Sequence, residues 1–189
     1  EKSFGEHVIY NDFSFLVTKK ERLAITGRNG AGKSTVFKLL TRLYEPKEGT
    51  IQFNGETIED YKLSDWRDEF AYVFQKDPLI GGTVRENLTY GLDREVSEEE
   101  LIEVAKKANC YDCIMEKPGG FNEDVGLGGS NFSGGQGQCI SIARAMLRNA
   151  DYLLLDEATS NLDVLSEAMV TEALDHLMEN KTTIMIAHN

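Results

Sequence analysis

Residues Asn131 to Asp163 read NFSGGQGQCISIARAMLRNADYLLLDEATSNLD. A Ser-Gly-Gly-Gln loop, Ser133 to Gln136, opens a helical stretch, and the apolar run YLLLD, Tyr152 to Asp156, follows it. A short apolar run bounded by turn residues predicts a buried strand. It closes on two adjacent carboxylates, Asp156 and Glu157. Carboxylates at the carboxyl end of a strand sit where ligands bind in parallel sheets.

Upstream, Gly27 to Ser34 reads GRNGAGKS and matches G-x-x-x-x-G-K-[ST]. Gly27, Gly30 and Gly32, with Asn29 and Ala31 between them, let the backbone curl so that its N–H groups point inward at phosphate oxygens. A helix beginning near Lys33 adds its positive N-terminal end to the same place. Lys33 supplies a point charge for the β- and γ-phosphates, the Ser34 hydroxyl suits Mg²⁺, and Thr35 would reach the α- or β-phosphate. The alternative is a flexible glycine turn with no ligand. Asp156 would hold Mg²⁺ through water, and Glu157 would orient the attacking water or take its proton. Successive strand residues point to opposite faces, so the two carboxylates are expected to do different jobs. A solvated strand end is the plainer reading of such a pair.

Outward from these two segments the chain alternates. RLAIT (Arg22 to Thr26) predicts a short buried strand running into the glycine loop, and VFKLLTRL has helical spacing until Pro46 and Gly49 break it. TIQFNGETI carries Asn54-Gly55, a hairpin turn signal. FAYVF (Phe70 to Phe74) predicts a strand ending at Gln75, and Ser97 to Glu100 is a capping box opening a helical stretch to about Lys117. The glycine-rich segment Pro118 to Gly129 reads as a loop, Val164 to Asn180 as a helix, and TTIMIAH as a final buried strand ending at His188. Strand, helix, strand alternation around a phosphate loop predicts an α/β fold with a mainly parallel sheet and helices on both faces. One domain over 1–189 is expected, with 1–75 and 151–189 as the phosphate-binding core and 76–150 as an inserted helical lobe. The sequence stops one residue after His188, which predicts truncation at the C-terminus.

Composition narrows the partners. The 189 residues carry 20 Lys+Arg against 32 Asp+Glu, a formal charge of −12. An acidic surface disfavours phosphate-backbone binding, so nucleic acid is not an expected partner. No apolar run approaches the roughly 20 residues needed to cross a bilayer. The opening EKSFGEHVIY lacks the basic and apolar regions of a signal peptide. Cys110 and Cys113 form a C-x-x-C, which reads as a redox pair, half a metal site, or two reduced cysteines on a helix; no second pair completes a tetrahedral site. Cys139 is expected to pack in the helix after the Ser-Gly-Gly-Gln loop.

Taken together, the segments resemble the nucleotide-binding domain of ATP-binding cassette (ABC) transporters over nearly the whole chain. Those that carry the resemblance are Gly27–Thr35 (Walker A), Gln75 (Q-loop), Ser133–Gln136 (signature), Tyr152–Glu157 (Walker B with the catalytic Glu), Ser160–Asp163 (D-loop) and His188 (switch His). The resemblance implies a P-loop NTPase (RecA-like) core, an N-terminal antiparallel β subdomain and an α-helical subdomain. It implies ATP and Mg²⁺ as ligands, and a head-to-tail dimer with two ATPs between the subunits. Lys33, Gln75, Glu157 and His188 would be catalytic, and Ser34, Gln75 and Asp156 would face Mg²⁺. Ser133, Gly134, Gly135 and Gln136 would meet ATP in trans, and Asp163 would communicate across the dimer. The residues alone agree with the trans role: Ser133 offers a hydroxyl, Gly134 and Gly135 expose N–H groups, and the helix that follows points its positive end outward. Ser133 as a simple helix N-cap is the alternative. The family places an aromatic ring on adenine ahead of Walker A; Phe4 aligns there, with Tyr10 as the fallback.

Several positions depart from the family pattern. Gly137 and Cys139 replace the usual basic residue and Arg after the signature, Phe132 replaces Leu, Asn161 replaces Ala, and Asn189 stands where Arg is common. TVRENLTYG (Thr83 to Gly91) and EDVGLGG (Glu123 to Gly129) are similar to segments of exporters whose membrane and nucleotide domains share one polypeptide, with Leu127 in place of the usual Glu. The expectation is therefore an exporter ATPase at the cytoplasmic face of a membrane, with a transmembrane domain and a second nucleotide-binding domain as partners. A soluble ABC-type ATPase acting on nucleic acid or ribosomes, and a non-hydrolysing regulatory module, are the alternatives. The substrate lies beyond this sequence.

Overall fold

The computed structural model describes residues 2–4, 7–10, 14–28, 30–75 and 79–187. Strands β1 (Lys2–Phe4) and β2 (His7–Tyr10) pair antiparallel. β3 (Arg22–Ile25) runs into the glycine loop and α1 (Lys33–Leu40). β4 (Gln52–Phe53) and β5 (Glu56–Thr57) form the expected hairpin; Asn54 and Gly55 at its turn have φ 52 and 85. Two consecutive positive φ values are what a primed two-residue turn requires. Then come α2 (Leu63–Asp68), β6 (Phe70–Phe74), α3 (Val84–Leu88), α4 (Glu98–Lys107), α5 (Tyr111–Met115), α6 (Gly134–Arg148), β7 (Tyr152–Asp156), α7 (Val164–Met178) and β8 (Thr182–Ile186).

Among the described residues the main sheet has four parallel strands in the order β3-β8-β7-β6. Its register aligns the carboxyl ends: Ile25 pairs with Ile186, Ile186 with Asp156, and Asp156 with Phe74. Thr26, Ala187, Glu157 and Gln75, each one residue further on, therefore lie along one edge of the sheet. Side chains alternate across it with period two. Leu153 and Leu155 pack with Ile140, Ile142 and Leu101 in the core built with α3 to α7. Leu154, Ile184 and Ile186 pack with Phe37, Trp66 and Phe70 on the other face.

Four local expectations are corrected. Among the described residues β3 is an edge strand, not a buried one: its residues alternate exposed and half-buried. The helix from Lys33 ends at Leu40, because Arg42 turns left-handed (φ 54) and the Leu43 N–H donates back to the Lys38 carbonyl at 2.8 Å. The helix expected to run to Lys117 breaks the same way at Asn109 (φ 56), with the Cys110 N–H donating to the Ala105 carbonyl at 2.9 Å. Both are left-handed helix closures that satisfy terminal carbonyls, and helical periodicity does not report them. The 118–129 segment is also more structured than a loop: Phe121 and Val125 are buried, and Thr83 bridges Asp124.

Cys110 is the N-cap of α5 and is buried, as is Cys139, while Cys113 is half-buried; all three are free. Burial pushes the Cys113 thiol up to about 11, the Cys139 thiol up to about 12 and Cys110 well above its ordinary value. These are packed, protonated thiols, and no group of three metal-ligating side chains occurs among the described residues.

Candidate nucleotide site

The glycine loop leaves β3 and reaches α1 through Gly30 (φ 81) and Gly32 (φ 87, the N-cap of α1). A side chain at Gly32 would be strained in that left-handed backbone, and no cap side chain covers the first N–H groups of α1. The α1 N-terminus therefore brings the positive end of the helix dipole to the loop. Lys33 folds back over the loop. Its side chain is only 7% exposed, and its ammonium donates to the Gly27 carbonyl at 2.6 Å and lies 4.0 Å from Glu157 Oε1. Asn29 falls outside the described residues. Gly27 and Thr35 are half-buried, and Ala31 and Ser34 exposed.

Glu157 is where strand alternation fails as a guide. It has φ 49, a left-handed conformation that costs a non-glycine residue about 1–2 kcal/mol. Hydrogen bonds fix it there: the Glu157 N–H donates to the Ile186 carbonyl at 3.0 Å, and the Glu157 carbonyl accepts from the Ser160 N–H at 3.0 Å and the Ser160 hydroxyl at 2.7 Å. The turn brings Glu157 to Lys33, while Asp156 lies beside Ser34, the next residue of α1, in one cavity lining. The two carboxylates are thus expected on opposite faces but found in one cradle. Burial raises the Asp156 pKa, and the neighbouring Glu157 charge raises it further; Ser34 and Lys33 draw it down.

The half-buried Gln75 follows β6 directly. Gln138 of α6, buried and missed by the sequence reading, donates from Nε2 to the Phe74 carbonyl at 2.9 Å. The one available signal was a polar residue beside the apolar Cys139-Ile140 stretch. Ala187 donates from its N–H to the Ile25 carbonyl at 3.1 Å, and the chain leads on to His188, which lies outside the described residues. Phe4 is in β1, opposite His7, and its side chain is likewise outside what the structure describes.

The signature segment stands apart, at the start of α6, whose main neighbours are α3, α4, α7 and β6. Ser133 caps α6 reciprocally with Gln136: the Gln136 N–H donates to the Ser133 hydroxyl at 3.3 Å, and the Ser133 N–H donates to Gln136 Oε1 at 2.9 Å. Ser133 and Gly134 are exposed. Gly135 is buried, and a Cβ there would come within 2.6 Å of the Ser166 side chain. Ser166 in turn donates to Asp163 Oδ2 at 2.6 Å, while Asp163 Oδ1 accepts the Leu165 and Ser166 N–H groups at 3.1 Å each. These bonds hold the Asp163 carboxyl below its ordinary range. Gly135 thus lets the signature and the Asp163 turn approach closely. Gly137 has no such reason: a Cβ there meets only Leu79 Cδ1, at 4.0 Å. Gly137→Ala is expected to raise stability by about 0.5–1 kcal/mol, read as an increase in the denaturation midpoint. An unchanged or lower midpoint would show that the glycine costs α6 nothing.

A phosphate loop with an enclosed lysine, a Ser–Asp pair and a second carboxylate, aligned at the carboxyl ends of a parallel sheet, define a P-loop nucleoside triphosphatase. The ABC transporter family model matches residues 10–160, and the chain belongs to that family as an ATP-binding, ATPase domain. It is 44% identical over 180 residues to the multidrug resistance ABC transporter ATP-binding and permease protein of Lactococcus lactis, covering 95% of this chain and 30% of that protein. It is 45% identical over 177 residues to the ATP-dependent lipid A-core flippase of Methylobacillus flagellatus, covering 94% of this chain and 30% of that protein. The structure of a bacterial Atm1-family ABC exporter with ATP bound aligns with TM-score 0.86 and 38% identity, over 96% of this chain and 32% of that one. The chain thus spans about a third of the length of the relatives it matches.

Proposed function

We propose that this domain is the motor of an ABC exporter, and that ATP binding and hydrolysis here drive a transmembrane domain carried on the same polypeptide. The convergence of Lys33, Ser34, Asp156 and Glu157 on one loop carries the ATPase reading. The export reading comes from the relatives, whose names join ATP-binding and permease functions. The working location is the cytoplasmic face of a membrane. No helix among the described residues is long and apolar enough to cross one.

Gly27, Asn29, Gly30, Ala31, Gly32, Lys33, Ser34 and Thr35 hold the phosphates, and Phe4 stacks on adenine. Glu157 orients the attacking water and takes its proton, Lys33 and His188 stabilise charge on the γ-phosphate, and Gln75 would contact the water and help hold Mg²⁺. The site suits Mg²⁺. That cation takes one or two carboxylates and otherwise water and phosphate oxygens. Asp156 is a carboxylate whose ionisation is disfavoured by burial and by Glu157, so a nearby cation relieves it, and Ser34 sits beside it as a hydroxyl ligand. When bound there, Mg²⁺ neutralises charge on the β- and γ-phosphates. The division into a core (1–75 and 151–189) and a helical lobe (76–150) follows the same reading.

Ser133, Gly134, Gly135 and Gln136 complete the site of a second nucleotide-binding domain, with Asp163 relaying between the two. The support is geometric: Ser133 and Gly134 face outward at the positive end of α6. Ser133→Arg is expected to leave ATP binding to the monomer intact and to abolish ATP-dependent dimerisation, measured by sedimentation. Loss of the cap costs about 1 kcal/mol, a small drop in melting temperature. A Ser133→Arg protein that still dimerises with ATP rules out the trans role.

A further inference from the structure

We infer that Gln138 is a positioning residue for Gln75, setting its backbone orientation from the signature helix α6. The inference rests on the proposed role of Gln75 at the attacking water and Mg²⁺. The bonded atom carries the argument. The Phe74 carbonyl belongs to the same planar peptide unit as the Gln75 nitrogen, so fixing that carbonyl fixes the plane from which Gln75 leaves the sheet. Among the described residues β6 is an edge strand of the main sheet, and Phe74 is its last residue, paired with Asp156. Gln138 lies only two positions beyond Gln136, so one short stretch of helix carries both the signature end and this hydrogen bond.

The far side of the loop after β6 is tied to the same helix. Ile80 exchanges two hydrogen bonds with the buried Asn87 of α3: its N–H donates to Asn87 Oδ1 and its carbonyl accepts from Asn87 Nδ2, both at 2.8 Å. Arg144 of α6 then donates from Nε to the Asn87 carbonyl at 2.8 Å and from Nη2 to Asn87 Oδ1 at 3.1 Å. Gln138 and Arg144 are six residues apart on one helix, about 9 Å along its axis. α6 therefore grips Phe74 directly and Ile80 through Asn87. A buried amide that merely satisfied a strand-end carbonyl would affect stability alone; one that orients Gln75 must also affect the chemical step.

The test is a double-mutant cycle on the full-length protein, measuring steady-state ATP hydrolysis in Gln138→Leu, Gln75→Ala and the double variant. Gln138→Leu removes the donor at similar volume. It is expected to lower kcat by about ten- to a hundredfold while KM for ATP stays within about twofold, because the phosphate loop is untouched. In the Gln75→Ala background the same change is expected to cost less than about twofold, since the group it positions is gone. Wild-type kcat in Gln138→Leu, with Gln75→Ala impaired, overturns the inference and leaves the reading of Gln75 standing. A full loss that persists in the Gln75→Ala background also overturns it, by showing that Gln138 acts elsewhere. Wild-type kcat in Gln75→Ala overturns the reading of Gln75 and the inference with it. Should the leucine variant not fold, Gln138→Met and Gln138→Glu carry the same readout, the latter placing an acceptor against the Phe74 carbonyl.

Discussion

Glu157→Gln is expected to reduce ATP turnover by about 10²- to 10⁴-fold while ATP still binds and holds the dimer closed. Glutamine keeps the shape and the left-handed backbone of Glu157, whose carbonyl remains bonded to Ser160. The amide, however, has no basic oxygen to take a proton from water. Binding does not suffer, because the change removes a negative charge 4.0 Å from Lys33 and leaves more of the ammonium's field for the γ-phosphate. It also removes the second cause of the raised Asp156 pKa, so that carboxyl ionises more readily, although burial, the larger cause, remains. The sign follows: a carboxyl raised in the fold costs stability as pH rises from its unfolded to its folded value, and Glu157→Gln makes that loss smaller. Phosphate release, nucleotide titration and sedimentation together decide the matter. Turnover within tenfold of wild type would remove Glu157 from the chemistry.

Lys33→Ala is expected to weaken ATP binding by about 30- to 4,000-fold, the equivalent of about 2–5 kcal/mol for truncating one partner of an enclosed charge contact. Lys33 is the enclosed cation of the loop, at 7% exposure, and it already holds two partners, the Gly27 carbonyl and the Glu157 carboxylate. Its loss removes the phosphate's counter-charge and leaves Glu157 facing the incoming γ-phosphate without that neighbour, so repulsion adds to lost attraction. The backbone donors of the loop and the α1 N-terminus persist and keep some affinity. Calorimetric titration with a non-hydrolysable ATP analogue measures the change. Wild-type affinity in Lys33→Ala would place the phosphates elsewhere.

Much of this site was legible because its signals are local. The Asn54-Gly55 turn, the Ser97/Glu100 capping box, the glycine loop and the strands β6, β7 and β8 each follow from residues within a few positions of one another. The Ser133/Gln136 box is the instructive overlap: one set of residues caps α6 and is assigned to a partner's phosphate, so the N-cap and the ligand readings are not exclusive. What escaped was set at a distance or by backbone conformation. Arg42 and Asn109 close helices in left-handed turns that apolar spacing does not mark. Gln138, Asn87 and Arg144 join segments tens of residues apart, and nothing near Gln75 announces them.

The sequence by itself determined the kind of protein, since a phosphate loop, a carboxylate strand and a Ser-Gly-Gly-Gln helix start need particular residue types at fixed short spacing. Only the tertiary structure decided how Asp156 and Glu157 share one cradle. Strand periodicity sends neighbours to opposite faces, but at Glu157 the strand has ended. The Ile186 carbonyl on β8 and the Ser160 turn hold it at φ 49, and Lys33 meets it from across the sheet. That position depends on hydrogen bonds between elements that chain order keeps apart, so it exists only once the parallel sheet has brought their ends into line.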